Sequence, residues 1–400
     1  SIMGKPNVNV SFENGNIGTV ATSPDGVCGI VSSAVANGSF VLNTPVTVYS
    51  LAEAEALGII PTVSGNYELH KTVKEFYAEA GSGTELWIYG VAKTRTLDQI
   101  IDDSKALLLA SNRRVRFVIP KYSPTTADVA VTAGLRTGFP ATMSAAQAIA
   151  EEYTIDKTQP IVFILEAYNY TGVVSDLVGF SETTYNRVAV MIGDTETRTG
   201  TTASKGAAVG VLAGRIAKNQ VHVNIGRVKD GALKPLAFYV VDTPAEQVNI
   251  DALYDKGFIT LTTHTGKSGY YFVDDHLACT VEDDYHFLTR RRVIDKAYVL
   301  ANQALTNFIL DTIPVTGEGK MQATYAKALE AEVERVIVQE MTAKGEISAD
   351  VTAANDTGVE CIIDTTNNVV QDSTINGRIR VRPHGYGRFL EFTIGFNTGQ

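Results

Sequence analysis

Residues 85–120 read ELWIYGVAKTRTLDQIIDDSKALLLASNRRVRFVIP. Glu85 to Val91 and Arg116 to Pro120 are short, rich in β-branched and aromatic side chains, and almost continuously apolar. Strands of that texture are covered on both faces, as in a parallel sheet. Between them Leu97, Ile100, Ile101, Ser104 and Leu108 keep to one helical face. Strand, amphipathic helix, strand is the unit that joins parallel neighbours.

The same texture continues on both sides. Val27 to Val31, Ile161 to Glu166, Arg187 to Ile192 and Leu236 to Val241 read as further buried strands, and Tyr67 to Ala80 and Ser144 to Tyr153 as helices. Alternation of this kind predicts a doubly wound, mainly parallel α/β domain, here over residues 20–250 and with room for an inserted or outer subdomain. Ala203 to Lys218 reads as a helix crowded with small residues, Gly206, Gly210 and Gly214 among them. Each interior glycine costs roughly 1 kcal/mol relative to alanine. Close approach of another backbone is the expected compensation, from the chain's own sheet or from a neighbouring subunit.

From Tyr254 the pattern changes to α+β, over residues 251–385. Phe258 to Thr263 and Tyr270 to Val273 read as strands around a Gly266-Lys267-Ser268-Gly269 turn. Two long helices follow, about Tyr285 to Leu310 and Met321 to Lys344, then strands near Val359 to Asp364 and Ile375 to Arg382. Both chain ends alternate strictly. Val8, Val10 and Phe12 share one face of an N-terminal arm (residues 1–19), and Leu390, Phe392, Ile394 and Phe396 share one face of a C-terminal strand or arm (residues 386–400).

A hydrophobic content of 44% with 20% charged residues describes a folded chain, and 400 residues exceed one core, so two or three domains are expected. A net charge of −10 argues against nucleic acid or anionic membrane as the main partner. No apolar run approaches the roughly 18–20 residues that span a bilayer, and Ser1 to Pro6 lack the pattern of a signal peptide. Cys28, Cys279 and Cys361 are far apart and without CxxC spacing, which suits a reducing compartment.

Chemistry is hard to find. A P-loop needs a glycine five residues before Gly266, where Leu261 stands, and a helix after it, where Tyr270 to Val273 look like strand. Asp274, Asp275, His276, Glu282, Asp283, Asp284 and His286 are dense in candidate metal ligands but match no metal-site spacing. Arg290, Arg291 and Arg292 follow closely, so a salt-bridge network or a subunit contact, with Asp283 and Asp284, is the simpler reading. His70 and His222 read as structural, and no GxSxG elbow is present. No catalytic, cofactor or metal residues are assigned.

Residues 257–305 resemble the tail sheath family of contractile phages and related injection machines. The likeness lies in a strand (Phe258 to Thr263), a glycine turn (Gly266 to Gly269), a strand (Tyr270 to Val273), an acidic segment (Asp274 to Asp284) and a helix opening with Arg290-Arg291-Arg292. A second helix and a β-rich end with an apolar last strand follow, as in that family. The chain particularly resembles divergent sheath-like proteins of Bacteroidales prophages.

The resemblance implies a structural, non-enzymatic subunit whose terminal arms add strands to neighbouring copies. Such a subunit forms stacked rings around an inner tube protein, between a baseplate and tail terminator proteins, and contracts to drive the tube through an envelope. It implies a place in a virion tail or injection machine, assembled in the bacterial cytoplasm. Competing readings are an α/β enzyme or nucleotide-binding protein with an appended domain, and a non-contractile phage or surface-layer subunit. On the bare residues, both ends completing sheets within their own subunit stays open.

Overall fold

The computed structural model describes residues 24–200 and 204–396. The N-terminal arm with Val8, Val10 and Phe12 lies outside the described residues.

Six strands form the main sheet: β1 (Cys28–Ala34), β2 (Val46–Val48), β3 (Leu86–Ala92), β4 (Phe117–Lys121), β5 (Val162–Glu166) and β6 (Val188–Met191). Their spatial order is β2-β3-β1-β4-β5-β6. β2 runs antiparallel to β3, and every other pairing is parallel. The parallel strands therefore lie in the order 2-1-3-4-5 along the chain, the doubly wound arrangement with a switch point between the first and third.

The period of two along each strand assigns the two faces. Ile30, Ile88, Ile119 and Ile164 belong to one core with helices α2 (Tyr67–Ala80) and α5 (Val209–Lys218), which follow α1 (Leu51–Leu57) and α4 respectively in the sequence. Val31, Val118, Phe163 and Leu165 belong to another, with α3 (Leu97–Ala110) and α4 (Phe139–Lys157). Burial of each such side chain stabilises by about 1.5–3 kcal/mol. Helix α3 starts on a capping box, with Thr96 and Gln99 exchanging side-chain and backbone hydrogen bonds.

Two expectations change. Leu236 to Val241 is not a sheet strand: Tyr239–Val240 pairs only with Thr243–Pro244, the chain reverses at Val241 with φ of 62°, and Leu236 is exposed. The glycine-rich helix begins at Val209, so Gly206 precedes it. Its close neighbour is neither the sheet nor another subunit but α2. A Cβ at Gly214 would stand 2.5 Å from the Phe76 carbonyl oxygen, and one at Gly210 would overlap the Thr72 carbonyl.

The strands β7 (Leu261–Thr262) and β8 (Tyr271–Phe272) form a plain hairpin. The Gly266 turn is its tip, with no helix behind it. Residue Ile259 exchanges hydrogen bonds with β6, donating to Val190 and accepting from Ile192, which covers that edge of the main sheet. Residues 258–279 thus pack on the α/β cores. The third core begins only with α6 (Leu288–Thr306), beyond the boundary expected near residue 250. It combines α6, α7 (Ala323–Glu340) and the antiparallel pair β9 (Val359–Asp364) and β10 (Asn376–Val381), through Val293, Leu329, Val333, Cys361 and Ile363.

Candidate assembly interface

Residues 388–396 form no ladder, although a strand was expected there. Leu390, Phe392, Ile394 and Phe396 are exposed by 76, 90, 97 and 100%. Phe389, on the opposite face of the run, is exposed as well. The alternation is that of a strand, but no strand of the described residues lies beside it. Four large apolar side chains in water forgo roughly 1.5–3 kcal/mol each. Contiguous exposure of this kind marks an interaction surface.

The base of this tail is held firmly. The Arg388 guanidinium donates from Nε to Asp274 Oδ2 at 2.7 Å and from a terminal nitrogen to Asp274 Oδ1 at 3.2 Å. It also lies 3.5 Å from the centre of the Phe287 ring. Two residues earlier, the Tyr386 hydroxyl donates to the His222 carbonyl at 2.7 Å. Burial works against the Asp274 carboxylate, yet the Arg388 hydrogen bond and charge outweigh it and lower its pKa to about 2. Neighbouring Asp275 behaves oppositely: burial, then the charge of Asp274, raise it to about 7. Asp275 accepts from the Thr289 amide at 2.8 Å, so it caps the N-terminus of α6 from another segment.

The basic triplet is mostly internal. Arg291 is buried and meets Asp295 at 2.9 Å, one helical turn on. Asp295 also takes both terminal nitrogens of Arg187 at 2.9 Å, which ties α6 to the base of β6. Arg292, also buried, donates to the Asn219 and Gln220 carbonyls just past the C-terminus of α5. Burial lowers its pKa to about 10. The subunit contact expected of Arg291 and Arg292 is thus met within the chain, because cations at a helix start are stable only with nearby carboxylates or carbonyls. Arg290 stays partly exposed over Phe287, Asp284 is exposed, and Asp283 accepts from Asn186 at 3.0 Å.

The acidic segment is divided the same way. His276 and His286 are buried, and burial holds the His276 pKa down at about 4. No group of three or more His, Cys, Asp and Glu side chains among the described residues is arranged to hold a metal ion. His70 faces Glu55 at 2.8 Å, and His222 stacks near His384 at 5.1 Å.

A doubly wound sheet takes ligands beyond the C-terminal ends of its strands. Here that place holds a buried ion network. Lys121, the last residue of β4, pairs with Glu166, the last of β5, and with Glu68 at 3.3 Å. Lys71 pairs with Asp194, and Glu166 accepts from the Ala207 amide at 3.0 Å. Burial alone would lower the Lys121 pKa, but Glu166 and Glu68 outweigh it and raise it above the ordinary lysine value. The adjoining cavity, by Asp194 and Gly206, has about 10 Å³, room for about one water molecule. Charges paired this closely leave no space for a substrate.

Comparison with known sequences places the whole chain. The profile of the N-terminal domain of DUF2586 matches residues 5–276, and that of its C-terminal domain matches residues 284–399. The chain belongs to the DUF2586 family. The junction of the two DUF2586 domains falls just before α6, where the third core begins. No curated protein matches this DUF2586 chain.

Solved structures share its fold from end to end. One is the helical sheath of the anti-feeding prophage in its contracted state, with a TM-score of 0.63, 13% identity and 100% of both chains covered. Another is the contracted PVC sheath complex of an extracellular contractile injection system, at 0.53 and 12%, covering 100% of this chain and 99% of that one. A third is the sheath tail protein from Desulfitobacterium hafniense, at 0.52 and 11%, covering 94 and 100%. This DUF2586 protein has the mixed α/β fold of contractile sheath subunits.

The residues that sequence reasoning missed are Arg388, Tyr386 and Asp295. Arg388 had one visible signal, a lone cation directly before the apolar run. Asp295 had none, since its partner Arg187 is 108 residues away.

Proposed function

We propose that the chain is the sheath subunit of a contractile injection apparatus. It polymerises helically around an inner tube and, on contraction, drives that tube through a target envelope. The observation that carries this reading is the tail: an alternating apolar strand, clamped at Arg388 and left without a partner, in a subunit with the sheath fold. Its partners are other copies, the inner tube protein, and baseplate and tail terminator proteins. Neither nucleic acid nor a membrane is a direct partner, and the work needs no catalysis or cofactor. Its place is a virion tail or injection-machine sheath, assembled in the bacterial cytoplasm. The narrower kinship with sheath-like proteins of Bacteroidales prophages rests on the pattern of residues 257–305.

In this reading Leu390, Phe392, Ile394 and Phe396, with Val8, Val10 and Phe12, are the interface side chains, and Asp283, Asp284 and Arg290 are charges at its rim. One added strand is a weak bond, because backbone hydrogen bonds contribute about 0.5–1.5 kcal/mol each while ordering costs about 1–2 kcal/mol per residue. Many arms acting together become strong through effective concentration. A soluble subunit and a durable cylinder are then one molecule.

The test is electron microscopy of the concentrated full chain, alone and with tube protein, beside a variant lacking residues 389–400. Rings or tubes are expected from the full chain, none from the variant, with equal melting temperatures. Tubes that persist after the deletion would overturn the reading.

A further inference from the structure

The hairpin β9–β10 has two edges, and they differ. On β9 the amides that point away from β10 are all occupied. The Cys361 amide donates to Glu334 Oε1 and the Ile363 amide to Glu330 Oε1, both at 2.8 Å, and the Val359 amide leans on Thr357 Oγ1 at 3.4 Å. Glu330 and Glu334 both stand on α7, which packs against this strand. The Glu330 pKa is lowered: burial opposes this, and the Ile363 amide and Lys327 outweigh it. The helix has therefore placed two carboxylates where another strand's carbonyls would go.

On β10 the corresponding row is open. Val359, Cys361 and Ile363 stand opposite Val381, Ile379 and Gly377. In an antiparallel ladder opposite residues share a state, either bonded to each other or pointing outward. The amides of Gly377, Ile379 and Val381 thus point outward, and no acceptor among the described residues meets them. Most of β10 is exposed. The main sheet offers no comparable edge, since β2 has three residues and Ile259 covers β6.

We infer that β10 is the acceptor edge for the C-terminal segment, residues 389–396, of a second copy, and that Glu330 and Glu334 close the β9 edge against it. The inference rests on the sheath reading above and adds which edge is used. The faces of hairpin and tail match. Cys361, Ile363, Ile379 and Val381 belong to the α7 side, and the row Leu390, Phe392, Ile394 and Phe396 extends that apolar surface. Arg378 and Arg380 lie on the solvent side with Glu360 opposite Arg380, and Glu391 of the tail falls on the same side. A single open edge gives each subunit one C-terminal partner. Two open edges would allow branched, irregular growth.

The experiment titrates the full chain, kept below its assembly concentration, with a labelled synthetic peptide of residues 387–400, read by fluorescence anisotropy. One peptide per chain is expected. The R380E variant should bind about fivefold more weakly, and the peptide carrying E391K should restore the affinity. The E330A/E334A variant should take two peptides per chain. No binding by the unaltered chain would defeat the sheath reading itself. Binding that ignores R380E, or that stays at one peptide in E330A/E334A, would overturn only the choice of edge.

Discussion

Phe117 in β4 and Phe392 in the tail belong to runs of the same strand-forming character, yet the first is 2% exposed and the second 90%. β4 has β1 and β5 on its two sides and helices above and below. The tail has the clamp at Arg388 behind it and no strand beside it. An apolar alternation therefore records a capacity to pair. Where the partner stands, in the same chain or in another, is a separate fact.

Three substitutions probe that contrast through denaturant unfolding of the isolated subunit. Lys121→Met should have the largest effect, a loss of about 3–5 kcal/mol, because it leaves Glu166 charged and buried without its partner. A neutral outcome would mean that the ion network is dispensable and that the crevice above the sheet is open to other uses. Gly210→Val should cost less, about 1–3 kcal/mol, by forcing α5 away from the Thr72 carbonyl. No loss would show that the two helices are not held at backbone distance in solution. The double change Phe392→Ala with Ile394→Ala should stay within about 0.5 kcal/mol, as for other exposed positions. A loss as large as that of Gly210→Val would place the tail on its own subunit and erase the contrast with β4.

Legibility followed the range of the interactions involved. Helix α2 falls at Tyr67–Ala80 in both sequence pattern and structure, since a helix and its face are set within a few turns. The parallel strands are legible for the same reason, to within one to three residues at each end. Leu236 to Val241 misleads because its apolar run ends in a reversal at Val241, and β6 is already covered by Ile259. The basic triplet misleads too. Arg291 and Arg292 look like surface charges until Asp295 and the carbonyls of residues 219 and 220 appear beside them.

By itself the sequence determined the alternating strands and helices, the two-sided burial of the parallel sheet, and the apolar rhythm of the C-terminal run, all of which are periodicities of the backbone expressed in neighbouring residues. Tertiary structure alone decided that Gly210 and Gly214 serve α2, that Lys121 and Glu166 fill the ligand crevice, and that α7 closes one edge of the last hairpin while leaving the other open. These facts depend on which distant segments meet. Such meetings follow from the packing of whole layers, and no local pattern encodes them.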